Sequence, residues 1–270
     1  MYKDIMAVDS EIIALLDAEA ASMNVPEFIE DDPVQFPRRF ADKRDIEIVS
    51  LLVSSIAWGN RRMILKSSEK LLGLLEYQPY KFVMERGYEE LPHRQNIHRT
   101  FFTDNLKHYL RGLNTVYTEC GSLEDLMIKE GANNSEFPAW KLAEAINIRL
   151  HRANGEKGDS RCLPLNTDTS ALKRLNMALR WLVRDDGIVD LGVWSALKPS
   201  RLFIPLDVHV GRISRRLDLL GRSSNDKKAV VELTEVLREI RPDDPVYYDF
   251  ALFGIGVHKV KEFKQNNQDI

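Results

Sequence analysis

The chain has 270 residues, 44% hydrophobic and 29% charged, with a formal net charge of −3. This is the composition of an ordinary soluble globular protein, and no apolar run approaches the roughly 18 residues that would suggest a membrane span. Two cysteines, Cys120 and Cys162, fit a reducing compartment and are too few for a disulfide framework or a four-cysteine iron–sulfur cluster. The opening Met1-Tyr2-Lys3-Asp4 lacks a basic region followed by an apolar one, so no secretory signal is expected and the reading is a cytoplasmic monomer without a cofactor.

Taken in order, the elements are helical. Acidic residues gather in Asp17–Asp32, and a break falls at Asp31-Asp32-Pro33. Ile46, Val49, Val53, Ile56 and Ala57 follow helix spacing. The turn after them reads Trp58-Gly59-Asn60-Arg61, and core packing is the plainer reading of Trp58. Further breaks fall at Glu90-Leu91-Pro92, Gly131–Asn134 and Asn154–Asp159. The last is read as a loop inside one helical domain rather than a linker. Phe101, Phe102, Trp181 and Trp194 are further pocket candidates, each with core packing as the plainer reading. Sustained strand alternation is absent, as are repeats and low-complexity tracts. The expectation is an all-α protein of about ten helices.

The next helix is expected to start near Ser170, with Ser170 or Thr169 as its N-cap. Leu172, Leu175, Leu179 and Leu182 form its apolar stripe, while Lys173, Met177, Arg180 and Arg184 share another face. A helix N-terminus favours anions and disfavours a cation. A neutral amine placed there can attack a sugar C1′ and form a Schiff base; the plainer reading of Lys173 is a surface lysine on a basic face. After a break at Asp185-Asp186-Gly187, Pro205 precedes Asp207, which opens a helix 34 residues beyond Lys173. Asp is among the best N-cap residues, and a carboxylate so held can also stabilise cationic character at a sugar as its base departs. Gly211 lies one turn on, where a missing side chain lets another backbone approach. His209 is read as packed or hydrogen-bonded before it is read as a catalyst, and no second ligand beside it suggests a metal. Val230, Leu233, Leu237 and Ile240 mark a later helix, ended by a break at Arg241–Pro245.

Charge is uneven along the chain. Between Ala171 and Arg222 stand ten basic and five acidic residues. The asymmetry permits DNA binding, which needs one basic face rather than a basic protein, without demonstrating it; Arg61, Arg180, Arg184, Arg212, Arg215 and Arg216, with Ser170 and Gly211, are the candidate contacts, and a solvated charged surface is the alternative.

Lys173–Leu179 resembles the K-T-A-N-V-V-L segment after the hairpin of endonuclease III-type DNA glycosylases, and Pro205–Val210 is similar to their V-D-T-H-V element. Leu51–Arg61 resembles the L-L-S-A-Q-x-T helix and turn of that fold. The spacing between the two elements is more like that of archaeal 8-oxoguanine glycosylases. Nearer still, Asp32–Phe40, Ala57–Arg61, Lys173–Arg184, Pro205–Arg212 and Asp249–Gly254 resemble an uncharacterised bacterial family of this helix-hairpin-helix superfamily.

The resemblance implies a two-lobed all-α fold with a central cleft. Residues 41–199 would form one lobe, and residues 1–40 and 200–270 together the other. It implies base-excision repair of damaged DNA, with or without lyase activity, in which Lys173 and Asp207 are catalytic. Trp58, Asn60, Trp181 and His209 would bind substrate. A non-catalytic nucleic-acid-binding member of the fold, or an enzyme on free nucleosides or nucleotides, are the alternatives. One departure stands out. The hairpin L-P-G-V-G-x-K is replaced by Leu163-Pro164-Leu165-Asn166-Thr167-Asp168-Thr169-Ser170-Ala171-Leu172-Lys173. It lacks the glycines that let backbone amides approach a phosphate, and it carries an aspartate that repels one.

Overall fold

The computed structural model describes residues 8–265, with side chains through 256. Among the described residues it holds twelve α-helices and one short β-hairpin, so the fold is mostly helical. Helices α1 (Ser10–Met23) and α2 (Pro26–Glu30) open the chain, followed by α3 (Lys43–Ile56), α4 (Arg61–Leu74) and α5 (Pro79–Met84). Strands β1 (Asn96–His98) and β2 (Phe101–Phe102) pair antiparallel. Helices α6 (Thr103–Cys120), α7 (Leu123–Lys129), α8 (Pro138–Ala153) and α9 (Lys173–Val183) come next. The chain closes with α10 (Val208–Arg216), α11 (Lys227–Ile240) and α12 (Tyr248–Gln265).

The fold is built around α3. Asp42 caps it by accepting the Arg44 N–H at 2.8 Å. From Ile46 to Ile56 every residue is buried, because other elements cover the helix on all sides. Most of its buried polar residues are satisfied internally, the Ser50 hydroxyl being the exception: Ser54 and Ser55 donate to the Leu51 carbonyl at 3.0 and 2.8 Å. Glu47 accepts from Tyr117 Oη at 3.0 Å, from the Leu123 and Glu124 amides at 2.9 and 3.2 Å, and from Trp194 Nε1 at 2.8 Å. Burial still pushes the Glu47 carboxyl above its usual range, against those donors. Trp194 is thus a core residue tied to α3 rather than a pocket residue.

Helix α3 packs on α9, α6 on α8, and α1 along α12, which also receives α10. The first and last helices are therefore neighbours, and one contiguous apolar cluster runs from Leu16 to Ile255. Trp181 belongs to that cluster and is fully buried. Its placement as a substrate-binding residue is corrected: it lies on the core side of α9, turned away from the cleft described below.

Arg180 and Arg184 require a second correction. They are 5% and 2% exposed, not part of a phosphate-facing surface. Arg180 Nε donates to Asp190 at 3.2 Å and its Nη1 to Asp249. Arg184 donates to Asp190 and, at 2.9–3.0 Å, to Asp244, with Asp186 at 3.0 Å. Burial alone would lower both guanidinium pKa values, but the surrounding carboxylates raise them. The helical face they share with Lys173 is real; its far end is covered by residues 185–190 and by the chain before and within α12.

Candidate active site

A cleft of about 900 Å³ opens where the early and late parts of the chain meet. Its walls come from Phe28 and Asp32, the α3–α4 turn (Trp58, Gly59), the β1–β2 turn (Thr100, Phe101) and the loop at Ser160 and Arg161. The first turns of α9 and α10 and the start of α12 (Asp249, Phe250, Phe253) complete them. The lining mixes aromatic faces with isolated charged groups, as small-molecule and nucleobase sites do.

Helix α9 begins later than its sequence suggests. Neither Ser170 nor Thr169 caps it. Ser170 accepts the Leu172 N–H through Oγ at 3.3 Å and the Trp140 indole N–H through its carbonyl at 2.8 Å. The Thr169 carbonyl takes the Lys227 N–H at 2.9 Å. Leu172 then adopts the left-handed region, φ +46°, which prevents the helix from starting upstream of it. Lys173 is the first helical residue, half-buried and without a capping side chain before it. Lys173, Met177 and Arg180 present one face to the cleft. The glycine-poor turn before α9 is organised by Asn166, whose Oδ1 accepts the Asp168 and Thr169 amides at 3.0 and 3.4 Å. The turn is not joined directly to a preceding helix, since residues 154–172, between α8 and α9, are irregular.

Helix α10 begins as expected. Asp207 accepts the His209 and Val210 amides at 2.8 and 2.9 Å and faces the cleft that Lys173 lines. The 34-residue separation in sequence thus closes to one site. His209 is exposed on the same wall, and Val208 beside it is 74% exposed. Gly211 does make room, but for a side chain: a Cβ there would lie 2.6 Å from Asn225 Oδ1. Asn225 donates to the Asp207 carbonyl at 3.0 Å and accepts from Arg215 at 2.7 Å. Arg215 is therefore occupied in fastening the 222–225 loop, also donating to the Arg222 carbonyl at 2.7 Å. Arg212 and Arg216 are exposed on α10 outside the cleft lining.

Trp58 is 36% exposed and lines the cleft, so core packing is not its role. Asn60 caps α4 instead of lining the cleft, accepting the Met63 N–H at 3.2 Å. Arg61 does line it. Its guanidinium lies 3.4 Å from Asp32 and 4.8 Å from the Phe253 ring centroid. Phe101 lines the cleft and Phe102 does not.

Asp249 is the residue the sequence reading passed over. It is buried in the cleft wall, and its pKa is pushed up to about 6. Burial is the main cause. Arg180 opposes it, while Asp207 raises and Lys173 lowers the value, so the three cleft charges feel one another. The signal existed in the sequence: Asp32 and Asp249–Gly254 stood among the phrases that carried the resemblance, but nothing local gave them a task. Among the described residues no group of three His, Cys, Asp or Glu side chains could hold a metal ion, and no helix is long and apolar enough to cross a membrane.

Comparison with known proteins adds one finding. No curated protein and no solved structure matches the chain. Residues 32–258 match the family model described as "Protein of unknown function (DUF2400)", a span that includes every cleft residue named above except Phe28. The chain is a member of the DUF2400 family.

Proposed function

We propose that this protein is a DNA glycosylase that breaks the N-glycosidic bond of a damaged base, and that it belongs to the helix-hairpin-helix glycosylase fold. The observation that carries the reading is that Lys173 and Asp207 line one cleft with an exposed tryptophan on its wall. Base-removing enzymes must draw a nucleotide out of its stack and hold the base against aromatic or apolar surfaces. Trp58, Phe28 and Phe253 supply such surfaces here.

In this reading the Lys173 amine attacks C1′ of the sugar as the glycosidic bond breaks and its electron pair leaves with the base. Asp207, fixed by two backbone amides, faces the positive charge that develops at C1′. Collapse to a Schiff base opens the sugar ring and gives an intermediate that borohydride reduces. The proposed lobes are residues 41–199 and residues 1–40 with 200–270. In their support, α3 packs with α9 and α6 with α8, while α1 and α10 pack on α12.

A second reading, an enzyme on free nucleosides, is favoured by one observation. Two of the arginines expected to grip phosphates, Arg180 and Arg184, are internal. The test is base release from oligonucleotides that each carry one damaged base, run beside the matching free nucleosides. The proposal expects release from at least one oligonucleotide. Release from nucleosides alone would transfer the assignment to the second reading.

A further inference from the structure

The β1–β2 hairpin places against the cleft-lining Trp58 a cation that the sequence did not suggest. Arg99 sits at its tip with φ +49°, a region that L side chains rarely adopt and that Gly or Asn would take more easily. The turn is closed by Asn96, whose Nδ2 donates to the Arg99 carbonyl at 2.6 Å. An arginine held in a disfavoured conformation at a turn directs attention to what its side chain does.

That side chain reaches Trp58. The Arg99 guanidinium carbon lies 4.7 Å from the Trp58 ring centroid, and the surrounding residues are built for this contact. His98 is 1% exposed and meets the Trp58 ring edge-on at 5.4 Å. Its Nε2–H donates to the Trp58 carbonyl at 2.9 Å, and its Nδ1 is hydrogen-bonded to the Ser67 hydroxyl at 2.9 Å. Gly59, at φ +99°, leaves the space: a Cβ there would fall 2.3 Å from Arg99 Nη1. Trp58 and its neighbour are thus fixed, and the arginine is laid against the indole.

A guanidinium stacked through its face keeps its N–H donors free in its plane. Among the described residues Arg99 makes no side-chain hydrogen bond or ion pair, unlike Arg61, Arg180, Arg184 and Arg215. An exposed, oriented fork of donors without an acceptor matches the geometry of a phosphate ester. Its neighbours Trp58, Gly59, Thr100 and Phe101 line the cleft, while Arg99 itself stands outside the lining.

We propose that Arg99, stacked on Trp58, is a phosphate-binding site that holds the phosphate of the nucleotide whose base enters the cleft. This rests on the nucleobase reading given above. It places the phosphate grip on the hairpin and the α3–α4 turn, not on the faces of α9 and α10.

The experiment measures binding of the full chain to a fluorescent single-stranded oligonucleotide across a salt series, with a nucleoside 5′-monophosphate as competitor. Wild type is compared with Arg99→Gln, Arg99→Lys and Arg99→Gly. Arg99→Gln should weaken binding about fivefold at low salt and reduce the slope of log affinity against log salt by about 0.7, the loss of one phosphate contact on a single strand. Arg99→Lys should keep the slope. Arg99→Gly relieves the turn and should melt within about 4 °C of wild type while binding as poorly as Arg99→Gln. Competition by the monophosphate that depends on Arg99 would assign the site to free nucleotides as well as to strands. Unchanged affinity and slope in Arg99→Gln would overturn the proposal and leave the glycosylase reading standing. A loss that Arg99→Lys does not recover would also overturn it, making Arg99 a support for Trp58. A wild-type protein that binds neither probe would contradict the nucleobase reading itself.

Discussion

Helices α9 and α10 both begin on the cleft, and they begin in opposite ways. At α10 the local rules agree: an aspartate caps the helix through two amide hydrogen bonds, an anion stands at the positive end of the dipole, and that carboxylate faces the cleft. At α9 they conflict. No side chain caps the helix, its N-cap residue is a leucine at φ +46°, and the first helical residue is a cation. The start of α9 is imposed from outside, through the buried Leu172 side chain, the Trp140–Ser170 bond and the Lys227–Thr169 bond. The contrast is between a start fixed locally and one fixed by the rest of the fold. Asp207 stabilises the helix it opens, whereas Lys173 stands where the helix dipole opposes its charge and tertiary contacts must keep it.

The same contrast runs along α9 itself, from a half-buried charge at the cleft end to a neutralised cluster at the other, and substitutions can test it. The largest expected effect on folding is at the covered end. Asp190→Ala removes the acceptor that Arg180 and Arg184 share inside the protein. It should cost about 3–5 kcal/mol in chemical denaturation, the range for breaking a buried ion pair. A cost below ~1 kcal/mol would mean that the network is solvated and the two ends of α9 are alike.

Next in size is Asp207→Asn. Asn caps as well as Asp, so the melting temperature should hold, while base release slows by about 10²–10³-fold with the loss of a charge facing the sugar. Asp207→Ala should add a stability loss of about 1 kcal/mol from the cap. Equal losses of stability and activity in Asp207→Asn would reduce this residue to a cap.

Asp249 gives a comparable effect that depends on pH. Its folded pKa of about 6 lies above the ordinary 3.8, so the native state holds the proton more tightly than the unfolded chain does. Its contribution is fully present below pH 3.8 and is lost as pH rises through about 6, roughly 3 kcal/mol at 1.4 kcal/mol per unit. Asp249→Asn should flatten this part of the stability curve, as followed by denaturant midpoints from pH 4 to 7. A wild-type curve that instead rises across the window would show that Arg180 dominates burial at this carboxyl.

Much of the fold was legible in the sequence. The apolar stripes of α3, α9 and α11 lie where the spacing puts them, and each named break falls between two α-helices. The β1–β2 hairpin was not legible, because its strands are too short to show alternation. The helical face of Lys173, Met177 and Arg180 could be read from periodicity, and it does face the cleft. What covers its far end could not, since Asp244 and Asp249 approach from 60 and 69 residues away. Ser170 looked like a cap because its type suits one. Its oxygens are engaged by Leu172 and Trp140 instead, which only the tertiary structure decides. Asp207 was legible because local and global requirements coincide there, and Asp249 was not because its meaning is wholly tertiary.

On the proposed reading the Lys173 amine reacts with a sugar carbon in this cleft. The direct measurement is borohydride trapping on a panel of damaged oligonucleotides, followed by mass spectrometry of the cross-linked peptide. One reduced adduct is expected, with a mass shift that maps to Lys173 and absent from Lys173→Ala although that variant still binds the oligonucleotide. An adduct of equal yield in Lys173→Ala, or one that maps to another lysine, would contradict it.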